Sequence, residues 1–366
     1  MMNMSHQQHW DSKWTTAAIV AEDDSQKSYL LFKGQFFELS PIIIPLSIIV
    51  IVQNSIIFIS YYKDKAKLVP SLFMGIALAD FLKAQGEFVL SVTSILVYKG
   101  VFGMEVMYKS LYYYMATALP GINCSTLYNV VLSVLMTCTI VNPFFVTNVG
   151  RWRRAVLGAS VGIVLLHLVD TLVTAVVGLD LPLLPMECMI LLFNIPGLLT
   201  AIDIFCKPDN TGVTKCTWDR LTGPDERTFL FSAGAPYYIL PPLIVLVCMT
   251  IQIKYLRRSL SDPETVSALP VRHVSITVLL VSTLFFFCHV TFFTGMIIWA
   301  VFHGAELTRD QEDSLFIKDG ILFGLGKFML PLVYSVAYPV ILMCRKQELR
   351  ERYAAYYRKL LTCCRN

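Results

Sequence analysis

Apolar residues along this chain come in long blocks separated by short polar and mostly basic intervals. Seven blocks, at about residues 41–62, 69–97, 109–141, 155–177, 229–253, 274–302 and 316–343, each reach the length of a membrane-spanning helix. Such a helix needs about 20 predominantly apolar residues. An eighth apolar run, 181–205, is interrupted by Pro182, Pro185, Glu187, Asn194, Pro196 and Asp203. Those interruptions make a lipid-facing helix costly. The run therefore reads as part of a long extracellular connection, about 179–227, folded over the bundle, with a true eighth span as the alternative. Behind the last block the period changes. Leu349, Tyr353, Tyr356, Tyr357 and Leu360 fall on one side of a helical projection, while Arg350, Arg352, Arg358 and Lys359 face headgroups and water. Cys363 and Cys364 end this amphipathic stretch, where palmitoylation would pin it to the membrane.

Composition agrees with a polytopic membrane protein. Charged residues make up 15% of the chain, below the roughly one quarter usual in soluble domains, and mean hydropathy is +0.61. No signal peptide is evident at the start, so the first span is expected to act as its own insertion signal. Lysines and arginines gather in alternate intervals: Lys63 to Lys67, Arg151 to Arg154, Lys254 to Arg272, and the tail from Arg345. The intervening segments are acidic or mixed. The positive-inside rule then puts the N-terminus outside and the tail in the cytosol, which requires an odd number of spans.

The expected fold is an all-α membrane protein, a seven-transmembrane helix bundle with a C-terminal amphipathic surface helix. Residues 1–39 form an extracellular tail, 40–344 the seven-helix domain, and 345–366 the cytosolic helix and tail. Asn3-Met4-Ser5 is a glycan acceptor candidate in the outer tail. Most of the ten cysteines lie within apolar runs, where free Cys packs as a small hydrophobe. Cys206 and Cys216 flank a polar loop and are disulfide candidates if that loop is extracellular. No internal repeat, phosphate-binding glycine loop, metal-spaced cluster or nucleophile motif is visible, so neither an inverted-repeat transporter nor an enzyme is expected.

Several polar residues inside the apolar blocks carry a resemblance. These are Asn54 in Val-Gln-Asn-Ser-Ile-Ile, Asp80 in Leu-Ala-Asp-Phe-Leu, Ile140-Val141-Asn142-Pro143-Phe144, and Tyr338-Pro339-Val340-Ile341-Leu342 with Leu349-Arg350 behind it. In register these resemble the rhodopsin-like (class A) G-protein-coupled receptors over residues 40–364. The resemblance implies a plasma-membrane receptor that transmits an extracellular ligand's binding to a heterotrimeric G protein. It further implies that Asp80, with Ser125 and Ser335, holds a sodium ion, and that Asn54, Tyr338 and Pro339 belong to the same switch. A structural polar knot around Asp80 is the alternative.

The chain departs from the family pattern at several positions. Leu135-Met136-Thr137 stand where the family has Asp/Glu-Arg-Tyr, Tyr338 replaces an Asn, His289 replaces a Trp after Cys288, and Leu111 stands near the expected Cys. Leu332 occupies the retinal-lysine position of opsins and Ala118 the ammonium-binding Asp position of amine receptors, so neither ligand class is expected. Lys83 and Glu87, four apart on the second span, should face the interior and pair with each other or with a ligand. Asp170 and His167 make a similar pair on the fourth span, with a satisfied buried histidine preferred.

Tyr237, His289, Phe292, Phe293, Met296 and Phe328 are candidates for an aromatic cavity that takes a peptide or a lipophilic small molecule. Plain helix packing is the alternative for each of them. Toward the G protein, the resemblance implies that Met136, Thr137, Pro143 and Phe144 form the contact face, flanked by Arg257 and Arg258. Anchoring to anionic lipid alone would also account for these arginines. The rival functions are a transporter or channel that uses the intramembrane charges, and a non-signalling receptor-like partner.

Overall fold

A computed structural model describes residues 37–62, 68–141, 149–177, 206–208, 214–216, 240–261, 274–288, 325 and 329–363. Eight helices and one small hairpin are defined there. In chain order they are α1 (Ser40–Tyr62), α2 (Leu68–Tyr98), α3 (Met104–Val141), α4 (Val149–Val177), β1 (Cys206–Pro208), β2 (Thr214–Cys216), α5 (Leu240–Ser261), α6 (Val274–Cys288), α7 (Leu330–Arg345) and α8 (Gln347–Cys363). Four helices, α1, α3, α4 and α5, are long and apolar enough to cross a membrane. α2 has the length, at 31 residues, but carries Asp80, Lys83 and Glu87 in its middle. The tail 1–36 and the connection containing 181–205 lie outside the described residues.

Helix α3 is central. It packs on α2, α4 and α5, while α1 lies against α2, α7 and α8. The α2–α3 contact is built on missing side chains. A Cβ on Gly121 would stand 2.6 Å from the Ala79 carbonyl and 2.8 Å from the Lys83 nitrogen, and one on Gly75 would enter the Tyr128 ring. Between apolar helices in lipid there is little hydrophobic drive to associate, so close backbone approach at small residues is the main source of packing energy. α4 shows the opposite pattern. Leu157, Val161, Leu165, Leu168 and Leu172 are all exposed along it, as a helix at the lipid edge requires.

Helix boundaries differ from the apolar blocks at the basic end. α4 begins at Val149, so Arg151, Arg153 and Arg154 ride on its first turns rather than on a loop. α5 runs to Ser261, which places Arg257 and Arg258 in its last turns, where positive charge opposes the negative end of the helix dipole. Hydropathy sees only the apolar part of a helix that extends past the bilayer.

Lys346 alone separates α7 from α8. Its ammonium lies 5.1 Å from the Tyr61 ring centre and 5.8 Å from that of Phe73. Leu349 and Tyr353 are buried, as the amphipathic pattern predicts. Arg352 departs from its expected place among the headgroups. It donates to the Ser60 carbonyl, and Tyr353 donates to the Gln53 carbonyl at 2.6 Å. A cation is thus held at the negative end of α1, and α8 docks on α1.

In the long connection, β1 and β2 pair antiparallel with Cys206 opposite Cys216 and Lys207 opposite Lys215. Directly opposed residues in such a ladder have Cα atoms about 4.5–5.5 Å apart, within disulfide range.

Two expectations follow. Non-reducing peptide mapping of the purified protein should recover a Cys206–Cys216 linked peptide; both thiols found free would refute the pairing. Gly121→Ala should lower the thermal midpoint, with a cost of about 1–3 kcal/mol for overpacking. Gly158→Ala, where nothing lies within 4 Å, should leave the midpoint unchanged or slightly raised.

Candidate functional site

The interior polar groups form two clusters, one at mid-bundle and one nearer the basic end. The first begins with a backbone defect. Pro339 lies inside α7 and has no N–H, so the Ser335 carbonyl four residues earlier lacks its helical donor. Asn54 supplies one: its Nδ2 donates to Ser335 O at 3.3 Å, and also to Val50 O at 3.1 Å within α1. The expected Asn54 contribution is present, and it acts on the α7 backbone.

Lys83 closes the cluster from α2. Its Nζ donates to Ser335 Oγ at 2.5 Å and to Pro331 O at 2.8 Å, and pairs with Asp80 Oδ1 at 3.5 Å. Asp80 is fully buried and Lys83 only 2% exposed, so the pair is shielded from bulk solvent. Ser125 on α3 and Ser335 both lie beside the Asp80 carboxyl group. Lys83, expected to face the interior and pair with Glu87 or a ligand, reaches back to Asp80 and across to α7. Its ammonium stands beside Asp80 and engages Asp80 Oδ1 and Ser335 Oγ, two of the oxygens that the resemblance assigns to sodium. Glu87 is buried one turn further along α2.

From Ser125 the network continues along α3. Asn129 Nδ2 donates to the Ser125 carbonyl at 2.8 Å, and Tyr334 of α7 donates to Asn129 Oδ1 at 2.7 Å. Tyr338 lies one turn beyond Tyr334 on α7. It is fully buried and donates to Phe73 O at 3.0 Å, so it ties α7 to α2 near Tyr61 and Lys346. Asn129 and Tyr334 were not singled out from the sequence. Their polar atoms lie within an otherwise apolar stretch, but their pairing needs α3 and α7 to be adjacent.

The second cluster joins α3, α5 and α6 without any charge. Ser133 and Ser282 hydroxyls are 2.7 Å apart. Gln252, fully buried, donates to Ser133 O at 3.3 Å and Thr137 Oγ1 at 3.2 Å. Thr137 donates to Ser133 O at 2.8 Å and reaches Cys248 O at 3.5 Å. Met136 is 4% exposed and packs in the same core. Met136 and Thr137, expected to face a G protein, are interior residues here. Arg345 Nε, at the end of α7, reaches Thr277 of α6 at 3.5 Å.

Other candidates separate from the site. Ala118 is fully buried where α3 meets α2, and a Cβ at Gly86 would stand 2.8 Å from its own, so it is a packing residue rather than a cavity wall. His167 is buried, and Asn123 Nδ2 on α3 donates to its Nε2 at 2.8 Å, the satisfied buried histidine that was preferred. Asp170 lies on α4, three residues on. Cys363 closes α8, and Arg257 and Arg258 sit at the end of α5. Tyr237, His289, Phe292, Phe293, Met296, Phe328, Pro143, Phe144 and Cys364 lie outside the described residues.

A scan against protein-family models and a search of curated proteins each found no match for this chain.

The Asp80–Lys83 pair generates a prediction. Asp80→Asn alone leaves an ammonium buried without its carboxylate and should destabilise the purified protein by about 3–5 kcal/mol. Asp80→Asn combined with Lys83→Met removes both charges and should recover most of that loss in thermal unfolding. Additive losses would show that the two side chains do not interact.

Proposed function

We propose that this chain is a seven-helix plasma-membrane receptor of the rhodopsin-like type, which couples an extracellular ligand to a cytosolic G protein. The carrying observation is the placement of its interior polar groups. One cluster ties α1, α2, α3 and α7 at mid-bundle, and a second ties α3 to α5 and α6 near the basic end. A receptor needs a mid-bundle knot that a ligand can bias and a separate latch between the helices that part for a partner. A ligand that binds the two arrangements unequally shifts the balance between them.

The register of Asn54, Asp80, Ser125, Ser335 and Pro339 supports the same reading. So do four helices fit to cross a membrane and the sharp α7–α8 junction. In this proposal the N-terminus and the β1–β2 hairpin are extracellular, and α8 lies on the cytosolic face. The ligand is a peptide or a lipophilic small molecule. The α3–α5–α6 cluster replaces the charged lock that Met136 cannot form. The Asp80–Lys83 pair is tied to α7 on several sides, which argues against an ion path through it.

The test is basal G-protein activation in cells at matched surface expression. Gln252→Leu removes the α5 arm of the latch. Interhelical hydrogen bonds in membranes are worth about 0.6 to 2 kcal/mol, so basal signalling should rise roughly 3- to 30-fold. Asp80→Asn should also change it. Silence of wild type and both variants, with Asp80→Asn altering an ion current or solute uptake, would replace the receptor by a transporter or channel. Silence in both assays would identify a non-signalling partner.

A further inference from the structure

We propose that Lys83 is a built-in, covalently tethered cation that occupies the interior carboxylate site and makes it independent of sodium. Asp80 Oδ1, Ser335 Oγ and Pro331 O gather around a single point, with Ser125 beside the same carboxyl group. A carboxylate, hydroxyls and a backbone carbonyl are hard oxygen donors, the set that a small inorganic cation takes. The Lys83 ammonium already sits at that point, at 3.5, 2.5 and 2.8 Å from the three oxygens. A second cation bound to them would meet a like charge across a few ångströms of low-dielectric interior.

Packing holds the lysine in this position. A Cβ on Gly121 of α3 would lie 3.1 Å from Lys83 Cβ and 2.8 Å from its nitrogen, so α3 closes one side of the residue. Its side chain leads toward α7 and is almost wholly withdrawn from solvent. Because the charge is tethered, parting α7 from α2 requires the ammonium to leave Pro331 O and Ser335 Oγ, with no ion released to the medium. A diffusible cation would make that step depend on salt composition, and a tethered one does not.

Lys83→Met should therefore unmask a cation site made of Asp80, Ser125, Ser335 and the Pro331 carbonyl. The inference concerns the same interior cluster as the receptor proposal, but it is read as cation binding rather than signalling, so either can fail without the other.

The experiment is thermal unfolding of the full chain in detergent, titrated with sodium chloride against N-methyl-D-glucamine chloride at equal ionic strength. Wild type should show the same midpoint in both salts. Lys83→Met should show a saturable, sodium-selective rise of several degrees, abolished when Asp80→Asn is added. If Lys83→Met yields no folded protein, Lys83→Gln takes its place, with the same rise expected. A saturable sodium-selective rise in wild type would overturn the proposal, because the site would then be open despite the lysine. A folded Lys83 variant with no sodium response would overturn it too, because the oxygens would then form no cation site.

Discussion

A polar group buried inside this bundle is shielded from bulk solvent, and the side chains that fasten it take their partners on their own backbone or on a neighbouring helix. That constraint determines which helices are fastened and where. Lys83 is its most demanding case. An ammonium with 2% exposure would be prohibitive alone, and it is tolerated because one carboxylate, one hydroxyl and one carbonyl meet it. Two of those three acceptors belong to α7, so the residue that needs them also fixes α7 against α2. The glycines of the α2–α3 contact serve the same end. They bring the backbones close enough for Ser125 to stand beside Asp80.

Proline contributes by leaving a bond unmade. Pro339 frees the Ser335 carbonyl, and Asn54 takes it across the α1–α7 contact. A defect in one helix thereby becomes a staple between two. Ser335 is then held twice, by its carbonyl to α1 and by its hydroxyl to Lys83 of α2. Tyr338, one turn on, adds a third tie through the Phe73 carbonyl. α7 can bend at Pro339, but its residues around that point are fixed to α1 and α2.

Much of this was legible in the sequence. Asn54, Asp80 and Pro339 stood out as polar or helix-breaking residues in long apolar blocks, Ser335 only through the resemblance, and the structure brings them together. Four of the expected spans appear as helices fit to cross a membrane, and the amphipathic tail as α8. The sequence did not show which partner each group takes. Lys83 lies within one helical turn of both Asp80 and Glu87, and only the position of α7 shows where the ammonium goes. Gln252, Ser133 and Ser282 gave no signal, since serine in a spanning helix usually bonds its own backbone and a single glutamine near a basic helix end reads as interfacial. Arg352 likewise fits a headgroup-facing pattern until α1 is seen beneath it.

The two clusters differ in kind, and the difference bears on how the bundle would move. The Lys83 knot is charged and buried, and parting α7 from α2 leaves the Asp80–Lys83 pair intact on α2 but strips the ammonium of its other two acceptors, Pro331 O and Ser335 Oγ. The α3–α5–α6 cluster consists of neutral donors and acceptors, several of which have alternative partners within their own helix, as Thr137 has in Ser133 O. Parting these helices strands few groups, because a serine or threonine hydroxyl can turn back to a carbonyl four residues away. Met136, buried in the same core, brings no charge to that cluster. A stiff middle and a yielding basic end are what α5 and α6 require if they are to separate from α3 while α1, α2 and α7 remain together.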